Sequence, residues 1–92
     1  MKTAIAKATL HAGGTFALAL AMRVSPGFVS QLLSGYRETP PDRCPDIERI
    51  VGGLVTAEKL RPDVRWVRVL DPSWPHPKGR PVIDVATKEK RK

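Results

Sequence analysis

The chain is 92 residues long and carries 16 lysines and arginines against 9 aspartates and glutamates, a formal charge of +7 at neutral pH. A chain this short forms one small domain with a modest core. That disfavours a deep, well-supported catalytic cleft, so neither an enzyme of ordinary design nor a small-molecule substrate is expected. The single cysteine, Cys44, excludes an intramolecular disulfide and a Cys-x-x-Cys metal knuckle and fits a reducing, cytoplasmic setting. The positive excess points to an acidic partner, either nucleic acid or an anionic membrane surface.

Apolar run lengths test the membrane and export readings. The longest run, residues 16–22 (FALALAM), is far short of the roughly 18 residues a spanning helix needs, so no membrane partner is expected. Ala17-Leu18-Ala19 resembles a leader cleavage site. However, Lys7, His11 and Gly13-Gly14 interrupt what a leader keeps apolar, and a helical reading explains these residues better. Charge is uneven, with +3 on residues 1–38, −1 on 39–63 and +5 on 64–92. Five of the nine prolines lie between 62 and 81, where no helix survives.

Residues 3–12 are alanine-rich, include Ile5 and Leu10, and run into Gly13-Gly14, which supplies left-handed conformations to end a helix. Thr15 is the expected N-cap of a second helix running through Met22. After a break at Arg23-Val24, Ser25-Pro26 sets an N-cap before a proline in the first helical position, and a third helix runs to Ser34, closed by Gly35. A fourth helix carries the stripe Ile47, Ile50 and Val51 and ends at Gly52-Gly53. Pro41 and Pro45 each suit its first turn, so its start is open. Thr56 caps a short last turn to Leu60, ahead of Pro62. Beyond Pro62 the apolar period shortens towards two, and strands at 64–70 and 82–86 are candidates for a hairpin across a proline-rich loop. Residues 87–92, which include KEKRK, read as a solvated tail.

The second and third helices are joined by too few residues to pack antiparallel, and this tight crossing is a helix-turn-helix. Ala19 is the small residue at the crossing and Val24 lies in the turn, while Leu18, Met22, Val29 and Leu32 complete the wedge. On the third helix Gly27, Phe28, Ser30, Gln31 and Ser34 then face outward. Gln31 suits adenine, the serines donate or accept, and Phe28 suits a thymine methyl. The helix carries no acid. Thr15, Arg23, Ser25, Tyr36 and Arg37 are placed to meet phosphate.

Three stretches, IAKATLHAGG, TFALALAMRVSPGFVSQLLSGYR and PPDRCPDIERIVGGLVTAEKLRP, make the chain similar to the Cro-like and YdaS-type regulators of phages and prophages. The specific combination is A-L-x-M-x-V-S-P, V-S-Q-x-x-S-G-x-R and R-C-P-x-I-E. The resemblance implies a mainly α, five-helix, lambda-repressor-like fold over 1–62. It also implies a transcription regulator that occupies a double-stranded DNA operator as a homodimer through helix 26–34. The chain departs from the family at Arg23, where glycine is usual, at Gly27, a poor helix former, and at Leu32, where an aromatic is common.

The remaining residues read more plainly. Cys44 is a small buried hydrophobe, and His11 and His76 are too far apart in sequence to suggest a metal or cofactor site. Asp46 and Glu48 point to different helix faces and form no acid–base pair. Trp66 and Trp74 anchor the basic extension, 63–92, either to the helical body or to a second subunit. The alternative role is that of an antitoxin whose C-terminal segment holds a toxin protein. RNA binding is weaker, because only five residues are Phe, Trp or Tyr.

Overall fold

A computed structural model describes residues 3–84. Five helices, α1 (Thr3–Ala12), α2 (Thr15–Met22), α3 (Pro26–Ser34), α4 (Cys44–Ile50) and α5 (Ala57–Leu60), precede two strands, β1 (Trp66–Val69) and β2 (Arg80–Ile83). The mainly helical fold with a small C-terminal hairpin is the one the sequence predicts. Residues 85–86 of the second candidate strand and the tail at 87–92 lie outside the described residues. Among the described residues no single helix is long and apolar enough to cross a membrane.

Local chemistry explains most element boundaries. Gly13 and Gly14 both take positive φ, and their amides close α1 by donating to the carbonyls of Leu10 and Thr9. Gly14, not Thr15, is the N-cap of α2, and no side chain caps this helix. With φ at 117° Gly14 makes the sharp re-entry that a threonine resists, so Thr15 becomes the first helical residue. Pro41 and Pro45 divide the start of the fourth helix between them. Pro41 opens a 3-10 turn (Pro41–Arg43), and Pro45 falls in the first turn of α4, where its missing N–H costs nothing. Thr56 caps α5 as predicted, its hydroxyl accepting from the Lys59 amide at 3.3 Å.

The core is one cluster built on Ile5, Leu18, Met22, Val29, Leu32, Ile47 and Val51, with Cys44 also fully buried. Burial pushes the Cys44 thiol up to about 12, which makes it a packing residue rather than a nucleophile.

The hairpin is shorter than predicted, and its second strand starts two residues earlier. It pairs antiparallel, with Trp66 opposite Ile83 and Val69 opposite Arg80. Gly79 fixes this register. Its φ is 95°, and a Cβ there would run into the Val69 carbonyl, so the chain turns at Gly79 and pairing begins at Arg80. Pro81 sits inside β2, which a two-stranded ribbon allows because every strand is an edge.

Glu48 joins the hairpin to the helices. Its side chain is wholly buried. Oε1 accepts from the Ala57 amide at 2.8 Å and from Arg68 Nη2 at 2.9 Å, while Oε2 accepts from Arg68 Nη1 at 2.6 Å and Trp74 Nε1 at 2.7 Å. Arg68 also donates to Glu58 Oε1 at 2.6 Å and to the Gly79 carbonyl at 2.9 Å. Trp66 Nε1 donates to the Arg61 carbonyl at 3.0 Å. Both tryptophans therefore anchor the extension to the helical body of the same chain. Burial alone would raise the Glu48 pKa, but the hydrogen bonds from Arg68, the Ala57 amide and Trp74 outweigh it, and the carboxyl lies below its ordinary 4.5.

Because an unfolded chain protonates Glu48 near 4.5 and the folded chain protonates it lower, this stabilisation is complete above that pH and is lost on acidification through the depressed value. The thermal unfolding midpoint should therefore fall below about pH 4.5, and Glu48→Gln should be less stable at neutral pH with a shallower acid decline. Glu48→Ala, which strips Arg68 of its buried partner, should cost roughly 3–5 kcal/mol in denaturant unfolding.

Candidate nucleic-acid interface

The turn between α2 and α3 is closed by backbone bonds. Arg23 adopts the left-handed conformation, φ 63° and ψ 43°, and is the one described non-glycine residue with positive φ. The Val24 amide donates back to the Ala19 carbonyl at 3.0 Å, which stops α2 and turns the chain. Ser25 then caps α3, its hydroxyl accepting from the Phe28 amide at 3.2 Å, with Pro26 in the first helical position. Beneath this turn Leu18, Ala19, Met22, Val29 and Leu32 are buried, and Val24 is half-buried against them. All six residues predicted to hold the crossing come together, and the unit is a helix-turn-helix.

The opposite side of α3 carries the predicted reading face. Gly27, Ser30 and Ser34 are exposed, whereas Phe28 and Gln31 are half-buried on its flank. Phe28 packs one side against the core, so only part of its ring faces outward. Ser30, Gln31, Ser34 and Tyr36 frame a shallow depression along the helix. The Ser34 hydroxyl donates to the Gln31 carbonyl at 3.2 Å and accepts from the Tyr36 amide at 3.3 Å. This leaves Tyr36 fully displayed, at 81 % exposed. Arg23 and Ser25 are exposed in the turn, and Thr15 is half-buried in the first turn of α2, where the leading amides lack helical acceptors.

Arg37 does not extend freely into solvent. Its Nε donates to Gln31 Oε1 at 3.0 Å, and its guanidinium lies over the Phe28 ring, 5.2 Å from the centroid. In sequence Gln31, Phe28 and Arg37 stand as three independent contacts, and the fold groups them. The available signal was Ser34-Gly35. A glycine cap with φ 85° turns the chain back, so that the Arg37 amide meets the Gln31 carbonyl at 3.2 Å.

The family described as "Bacterial toxin YdaS" matches residues 5–69, and the chain belongs to that family. It is 48 % identical over 54 residues to the Escherichia coli (strain K12) protein described as "Putative transcriptional regulator YdaS". The match covers 59 % of this chain and 55 % of the relative, so the chain spans about half the length of that curated protein. No solved structure matches.

Two substitutions test the crossing. Ala19→Leu should overpack it and lower stability by roughly 1–3 kcal/mol in denaturant unfolding. Arg23→Gly should be more stable than Arg23→Ala by about 1 kcal/mol, since only glycine takes this φ without strain.

Proposed function

We propose that this protein is a sequence-specific DNA-binding transcription regulator of Cro-like type. In this reading it represses by occupying an operator as a homodimer, in the cytoplasm and without catalysis. The observation that carries the proposal is the face of α3. Gly27, Ser30, Gln31 and Ser34 form an uncharged polar surface on a rigid helix, and the first carboxylate after the N-terminus is Glu38. Such a surface suits the edges of bases in a major groove, while Thr15, Arg23, Ser25 and Tyr36 around it suit phosphates. The relative's description as a transcriptional regulator supports the same role.

The hairpin supports the dimer. Its outer face carries Val67 opposite Val82 and Val69 opposite Arg80, and Val67 and Val69 are exposed, as is Leu70 next along the chain. A ribbon with exposed valines and no third strand among the described residues suits a second copy of itself.

The word toxin in the family description favours a second reading, in which this chain is one half of a toxin–antitoxin pair and uses residues 63–92 to hold a protein partner. A stoichiometric complex with the product of an adjacent gene, formed without DNA, would support it.

Selection of bound sites from random duplex DNA tests the first reading. The expected product is a palindrome with half-sites about 10 bp apart, bound by a species of twice the chain mass. Ser30→Glu should weaken binding to it by at least about 100-fold with the helical signal unchanged. Binding that depends on salt alone, with no sequence enriched, would contradict the proposal.

A further inference from the structure

We infer that Arg37 reads a base, with a guanine edge as its target, and that Gln31 is the residue that positions it. This rests on the proposed role of α3 in binding DNA. Sequence position suggests otherwise, because Arg37 lies beyond the Gly35 cap, at the end of α3 that points away from base edges in a helix-turn-helix. The fold reverses that placement. The Arg37 amide is tied to the Gln31 carbonyl at 3.2 Å, and the side chain then runs back along the helix. Its Nε reaches Gln31 Oε1 at 3.0 Å and its guanidinium carbon lies 5.2 Å from the centre of the Phe28 ring, in the first turn of α3. The charged head thus sits over the N-terminal half of the helix, the half that meets bases in this motif.

The manner of restraint points the same way. A phosphate accepts a mobile lysine or a loosely held arginine fork, whereas a base edge requires the fork to be held in one plane. Here the guanidinium plane is fixed by an aromatic face and by a hydrogen bond to its Nε edge, which leaves the two terminal nitrogens for an outside acceptor. That remaining fork matches the O6 and N7 of guanine.

The holder is a neutral amide. Arg43, Arg61, Arg68 and Arg80 all pair with carboxylates, at Asp46, Asp63, Glu48 and Asp71 respectively. Gln31 orients Arg37 without neutralising it. The same bond takes up one lone pair of the Gln31 oxygen and ties the amide to Arg37, so in this grouping Gln31 serves the guanidinium.

The test measures binding of the full chain to its selected duplex and to every single base-pair variant of it, for the wild type, Arg37→Lys and Gln31→Ala. Arg37 is exposed, and an unchanged unfolding midpoint will confirm that Arg37→Lys is folded. The wild type should prefer G·C at one position in each half-site. Arg37→Lys keeps the charge, so it should keep the salt dependence yet lose about 10- to 100-fold discrimination at that position alone. Gln31→Ala should relax the same position. Wild-type preference retained throughout by Arg37→Lys would make Arg37 a phosphate contact and overturn the assignment. So would relaxation of a different position by Gln31→Ala, which would mark it as an independent reader. A wild type indifferent to every duplex would overturn the DNA-reading role together with this assignment, whereas the two preceding results leave that role standing.

Discussion

The carboxylate of Glu48 is the constraint on which the rest of the structure depends. It is a wholly buried acid that accepts four hydrogen bonds, from the backbone of α5, from both terminal nitrogens of Arg68 on β1, and from Trp74 in the loop between the strands. A lone buried charge would cost several kcal/mol, and this arrangement offsets the cost by leaving no lone pair idle. A two-stranded ribbon is marginal in isolation. Fastened at its centre to the helices through Arg68, it becomes part of the same body. Glu58 adds a second anion to the guanidinium, so that Arg68 carries its charge firmly and its pKa is raised.

Helix α4 therefore works in two directions. Cys44, Ile47 and Val51 pack into the core beneath α2 and α3, while Glu48 turns to the ribbon. The helix-turn-helix stands on the apolar side of α4, and the outer face of α3 needs no charge for its own support. The positive excess is placed elsewhere, with +5 of it on residues 64–92. In the proposed function, net charge accounts for general attraction to a polyanion, and discrimination falls to a few side chains on α3 together with Arg37 folded back upon it.

What could be read from the sequence follows the range of the interactions involved. Ser25-Pro26, Gly35 and Thr56 are local signals, and each does in the fold what its neighbours imply. The apolar spacing of Leu18, Ala19, Met22, Val29 and Leu32 located the crossing, because helical periodicity converts spacing directly into a shared face. The α2 cap lies one residue before Thr15 because the turn needs φ 117°, a conformation that glycine takes freely and that outweighs a threonine hydroxyl. Glu48 was invisible for a different reason. Its side-chain partners lie 20 and 26 residues along the chain, and near Asp46 it reads as an ordinary helix-surface acid. The contact between Gln31 and Arg37 spans only six residues, but it crosses a helix cap, where neither the helical nor the strand period applies.

The central claim is that α3 enters the groove and distinguishes sequence there. Backbone amide shifts report it most directly, recorded on the full chain with its selected duplex and with a scrambled duplex of equal length. The account predicts that Thr15, Arg23 and Ser25 shift with both duplexes, while Gly27, Ser30, Gln31, Ser34 and Arg37 shift further with the selected one. Equal shifts with both duplexes across α3, or shifts confined to the ribbon at residues 66–69 and 80–83, would contradict it.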